Sequence, residues 1–160
     1  MTERLRRAGT GRLPDGGTVA WSVADGGRGR RWRWTVTDGL TLRHAGLIEL
    51  DPAGRFSRLE LSSRVGLLTL HPEPDGRSIH GNVVTADGVR PLAFPWHGRA
   101  GVELAADAFA TGILTAGEGK GSLVVRSSLG VVAGTGSARL PLDERGVPRL
   151  EGAREWPLEE

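Results

Sequence analysis

A chain of 160 residues, 38% of them hydrophobic, has the size of one domain and can bury roughly 70% of its unfolded surface without help from covalent staples. Zero cysteines exclude disulfides, thiolate catalysis and zinc sites built on cysteine, and they suit a reducing cytoplasm. A formal charge of +2 excludes the broad cationic excess of most nucleic-acid binders, so no nucleic-acid partner is expected.

The opening stretch MTERLRRAG is basic and no apolar segment follows it, so no secretory signal is expected. Residues 1–12 are expected to fray, ahead of one domain over residues 13–160. No apolar run nears the roughly 20 residues that cross a bilayer, which predicts a soluble, cytoplasmic protein without stable membrane insertion. Arginine is concentrated early, at Arg4, Arg6 and Arg7 and again at Arg28, Arg30, Arg31 and Arg33. The tail is acidic, with Asp143, Glu144, Glu151, Glu155, Glu159 and Glu160.

Turn chemistry recurs along the chain: DGG at 15–17 and 25–27, DG at 38–39, DPAG at 51–54, PDG at 74–76 and DG at 87–88. The segments between these turns alternate at strand period. RRWRWTVT puts Trp32, Trp34 and Val36 on one face and Arg31, Arg33, Thr35 and Thr37 on the other. RFSRLELSS sends Leu59 and Leu61 one way and Arg58 and Glu60 the other. SIHGNVVT separates Ile79, Gly81 and Val83 from His80, Asn82 and Val84. VRPLAFPW, GSLVVRS, LGVVAGTG and SARLPL read the same way, and Pro91 and Pro95 push their segment to a sheet edge or a bulge. Only residues 103–110 hint at helix, and they lack an N-cap. The fold class predicted is all-β: a single curled antiparallel sheet forming a β-roll or barrel-like fold with little helix, its inward residues able to line a lumen.

His44, His71, His80 and His97 have no metal-ligand spacing, so neither a metal nor a cofactor is expected. His80 and Asn82 either line the polar part of a cavity or face solvent. In FPWHGR, Trp96 and His97 with Arg99 form a stiff loop that reads as the lip of a binding mouth or as an ordinary turn. An acid–base pair, if the protein has one, would join His80 or His97 to Glu103 or Asp107. There is no GxSxG nucleophile signature, and the GxG strings at 117–121 and 134–136 lack the context of a phosphate loop. Trp32 and Trp34, interleaved with Arg31 and Arg33, read either as core or as a platform for a sugar or base. Arg58 reads as the partner of a carboxylate or phosphate head group, or as a surface pair with Glu60.

GVELAADAFATGIL at 101–114 resembles the central motif of a glycolipid-binding family of spiral β-rolls, with Val102, Leu104 and Phe109 in register and Glu103 where that family has Asp. Thr111 and Gly112 replace the Asn and Thr of its polar core. DPAGRFSRLEL is similar to an upstream strand of the family through Asp51, Ser57 and Arg58. LPLDERGVPRLEGAREW is similar to its closing segment through Leu140, Leu142, Asp143, Gly146, Val147 and Gly152. The resemblance implies a β-roll with a cavity for an amphiphilic ligand and brings no catalytic residue.

The expected function is therefore binding of an amphiphilic or glycolipid-like small molecule in a β-roll cavity. Trp32, Trp34, Trp96 and Phe109 would form the apolar lining, and Arg58, His80, Asn82, His97 and Glu103 the polar groups. The alternative is a small cofactor-independent β-barrel cyclase, isomerase or hydrolase, with His80, His97 and Glu103 as acid–base candidates. A protein-interaction role for the acidic tail and a homodimer are left open.

Overall fold

The computed structural model describes residues 4–96, 102–104, 122–134, 143, 147 and 149–159. These residues contain twelve strands: β1 (Arg6–Arg12), β2 (Thr18–Gly26), β3 (Gly29–Asp38), β4 (Thr41–Leu50), β5 (Phe56–Ser63) and β6 (Gly66–Pro72), then β7 (Ser78–Thr85), β8 (Gly88–Pro95), β9 (Val102–Leu104), β10 (Ser122–Val125), β11 (Val131–Gly134) and β12 (Glu151–Pro157). Nine strands form one sheet in the order β12-β1-β2-β3-β4-β5-β6-β7-β8, with every neighbouring pair antiparallel. A smaller sheet has the order β11-β10-β9, in which β9 runs parallel to β10. The architecture is thus all-β and built on one large curled antiparallel sheet. Among the described residues no helix is long and apolar enough to cross a membrane.

The hairpins follow from the turn residues. Gly16, Gly39, Gly54, Gly76 and Gly88 have positive φ at reversals where the sequence placed Asp-Gly or its variants. Asp51 caps its own turn by accepting the amides of Ala53 and Arg55, both at 2.9 Å. One reversal carried no such signal: β5 and β6 join through Ser63, Arg64 and Val65, with Gly66 at φ +155°. Proline cannot donate to a ladder, and β8, which holds Pro91 and Pro95, is the sheet edge.

The period-2 pattern sorts the sheet into two faces. On one, Trp32, Trp34, Val36, Leu59, Leu61, Ile79 and Val83 are buried, as the alternation predicts. A single cluster joins these side chains to Leu123, Val125 and Leu129 of the smaller sheet region and to Val147. Two large indoles fit because glycine faces them across the ladder. Trp21 stands opposite Gly9 and Trp34 opposite Gly46, and a Cβ at either glycine would collide with the ring.

Residues 6–12, expected to fray, instead form β1 between β2 and β12. The reason is charge and register together. Of the early arginines, Arg7 meets the acidic tail, its Nε donating to Glu155 Oε1 at 2.9 Å across the β1–β12 ladder. Residues 102–104 are strand rather than the start of a helix, because they pair with Leu123, Val124 and Val125. Residues 105–110 lie outside the described residues, as does SARLPL.

Candidate functional site

The solvent side of the nine-stranded sheet carries the chemistry. Ladder register aligns Arg6, Ala24, Arg31, Glu49 and Arg58 in one row across β1 to β5. A second row holds Ser22, Arg33, Leu47, Glu60, Thr69 and Asn82. Row neighbours sit on strands about 4.8 Å apart, so their side chains touch. Arg31 pairs with Glu49 at 2.7 Å, and Arg58 pairs with Glu60 along its own strand. Arg33 makes no ion pair among the described residues. The Nε atoms of Arg6 and Arg58 are buried without a hydrogen-bond partner.

Small side chains hollow this surface. Ala45, Gly46 and Ser62 are the small residues of a groove of about 330 Å³ lined also by Arg31, Arg33, Leu47, Glu49, Arg58, Glu60 and Leu67. A second groove of about 500 Å³ continues past Arg31, Glu49 and Arg58 to the β2–β3 turn. At the other end of the first groove Leu67, Val84 and Val89 stand side by side across β6, β7 and β8, all exposed. Exposed apolar residues directly opposite one another on adjacent strands make a contiguous strip, unlike scattered ones.

His71 and His80 are cross-strand partners with ring centroids 5.7 Å apart. His80 Nδ1 lies 2.9 Å from Glu73 Oε1. Burial first, then the positive charges of Arg58 and His80, hold His71 below the ordinary histidine range. The unfolded chain takes up this proton near pH 6.5, whereas the folded chain does so at lower pH. Acid therefore favours the unfolded state across that interval: stability falls as pH drops below about 6.5 and levels off under the folded value. Urea midpoints at pH 7.5, 6 and 5 test this, and His71→Gln is expected to lose less on acidification than the parent. Equal losses would remove His71 as the cause.

The structure divides the predicted site residues. Arg58, His80 and Asn82 share the polar face, with Arg58 in both grooves and His80 and Asn82 exposed beyond them. Trp32, Trp34 and Trp96 sit on the opposite side, fully enclosed in the core, with Trp96 edge-on to Phe56 at 6.3 Å. The lining expected of these tryptophans is corrected accordingly: all three belong to the buried cluster, Trp32 packed on Trp21 and Trp96 on Phe56, rather than standing along an open lumen. Glu103 lies on β9, opposite Val124. His97, Asp107 and Phe109 lie outside the described residues. Sequence reasoning passed over Glu49 and Leu67, whose alternation marks them only as outward and whose meeting with Arg58 depends on ladder register; it also passed over Glu73, a turn residue that meets His80. Among the described residues no group of three or more His, Asp or Glu is placed to hold a metal. No family model, curated protein or solved structure matches the chain.

Proposed function

We propose that this domain binds a small amphiphilic anion, glycolipid-like in character, on the polar face of its curled sheet. The head group, a carboxylate or phosphate, is held by Arg33 and Arg58 with Arg31 beside them. The apolar part lies along Leu67, Val84 and Val89. One observation carries this reading: a groove with three guanidiniums and two carboxylates opens directly, at Leu67, onto an exposed apolar strip. An arginine fork recognises such oxyanions bidentately, and Arg58 still has an unsatisfied buried Nε–H to offer. The proposed setting is the cytoplasm, whose reducing conditions a chain without cysteine suits.

The test is calorimetric titration of the full chain with hexanoate, octanoate and decanoate below their micellar concentrations. Affinity is expected to rise with length, because each buried methylene contributes up to about 0.8 kcal/mol. Val84→Asp should abolish the length dependence, and Arg58→Gln should weaken every member of the series about tenfold or more. Binding that ignores chain length, or that appears only with lipid vesicles, would refute the proposal.

A second reading, a cofactor-independent enzyme, rests on the contact between His80 and Glu73, a carboxylate–imidazole pair of the kind that moves protons. Turnover of a hydrophobic substrate that is lost in both His80→Gln and Glu73→Gln, with binding retained, would favour it.

A further inference from the structure

The second groove shares Arg31 and Arg58 with the amphiphile reading but adds cations that the reading does not use. Its rim holds five guanidiniums, those of Arg6, Arg28, Arg30, Arg31 and Arg58, against two carboxylates, Asp25 and Glu49. Both carboxylates are already engaged. Asp25 takes two hydrogen bonds from Arg30, at 2.6 and 3.0 Å, and Glu49 takes Arg31. Arg6 and Arg28 are left without an ion pair among the described residues. The Nε atoms of Arg6 and Arg58 are shielded from water yet have no acceptor, an arrangement that costs free energy until an anion supplies one.

Local backbone keeps this site open. The β2–β3 turn reads Asp25-Gly26-Gly27-Arg28-Gly29. Space is clear where side chains at Gly26 and Gly27 would stand, so a ligand can approach the turn closely. Gly29, at φ +109°, is seated against the Leu50 carbonyl, where a Cβ would collide. Asp25 also accepts the Leu5 amide at 2.9 Å, which ties the segment before β1 to the same turn. Ala24 separates Arg6 from Arg31 in the row and leaves a gap between two cations.

We propose that the β2–β3 turn and the start of β1 form a site for a phosphoryl dianion, with Arg6 and Arg28 as its primary ligands and Arg58 Nε as a third donor. Two unpaired guanidiniums match the charge of one phosphoryl group, and their planar forks match its oxygens. The site goes beyond the amphiphile reading, and Arg6 and Arg28 do not line the groove on which that reading depends.

Pyrophosphate and inorganic phosphate are titrated into the full chain at low ionic strength, followed by calorimetry and amide NMR. Saturable one-to-one binding is expected, tighter for pyrophosphate, with shifts centred on residues 24–30. Arg28→Gln lies on an exposed turn, so folding is not at stake; it should weaken pyrophosphate binding about tenfold, as should Arg6→Gln. Arg64→Gln, on the distant β5–β6 turn, should have no effect. Decanoate binding should survive Arg6→Gln and Arg28→Gln, which separates failure of this site from failure of the apolar strip. Unsaturable binding, or equal loss in Arg64→Gln, would overturn the proposal. So would an oligonucleotide that binds more tightly than pyrophosphate through the same arginines.

Discussion

Trp34→Ala is expected to cost about 3–5 kcal/mol of folding stability, and Gly46→Ala alone about 1–3 kcal/mol, yet the two losses should not add. Trp34 is buried at 2% exposure, and its ring lies where a Cβ at Gly46 would have to be. An alanine at 46 must therefore push a packed indole off its rotamer. Once Trp34 is truncated the collision vanishes, and Gly46→Ala should turn neutral or mildly stabilising, since alanine restricts the unfolded chain more than glycine does. The check is a double-mutant cycle in urea, with a coupling of about 2 kcal/mol expected. A coupling near zero would mean that the ring does not use the glycine gap.

Trp32 gives the second large effect, with an internal contrast. It is fully buried, tilted against Trp21 at a centroid distance of 5.9 Å and laddered to Val23 and Ile48. Trp32→Ala should cost about 3–5 kcal/mol from lost burial and the cavity left behind. Its indole Nε1 is buried without a hydrogen-bond partner, however, a penalty of about 1–3 kcal/mol already present in the native state. Trp32→Phe removes that N–H along with some volume, so the two effects oppose and the net loss should stay near 1 kcal/mol. Thermal and urea melts of the two variants decide it. A phenylalanine variant as damaged as the alanine one would show that the indole nitrogen is satisfied. Neither substitution should alter binding on the opposite face of the sheet, beyond what partial unfolding removes.

That separation of faces shapes both proposed sites. Core residues on β3, β4 and β5 fix strand register, and register in turn decides which arginine stands beside which glutamate. The polar face is thus rigidly templated even though its ion pairs are too exposed to hold the fold themselves. Acidification acts on the same surface, because the depressed proton affinity of His71 is caused partly by Arg58, a ligand in both sites.

Much of the fold was legible in the chain. Asp-Gly turns at a short, regular interval predicted successive hairpins, and alternation in RRWRWTVT, RFSRLELSS and SIHGNVVT assigned faces correctly. Pro91 and Pro95 announced an edge. The β5–β6 turn was illegible because Ser63-Arg64-Val65 lacks the Asp-Gly signal and turns on a weaker device, the Ser63 hydroxyl accepting the Val65 amide at 3.2 Å. Strand β1 was hidden because Arg7 looks like part of a solvated tail until Glu155 is beside it.

Alternation told the sequence reader which side chains share a face but not what that face meets, since period 2 is the same for a packed core and for a cavity wall. Trp32 and Trp34 could therefore be read either way, and only the sheet's curl and the closing of its inner side by Leu123, Val125 and Val147 made them core. Composition and turn chemistry by themselves determined an all-β chain of hairpins with arginines on the outward side. Tertiary structure decided which arginines converge, because Arg6, Arg31 and Arg58 lie far apart in sequence and become neighbours only through the hydrogen-bond register of five strands.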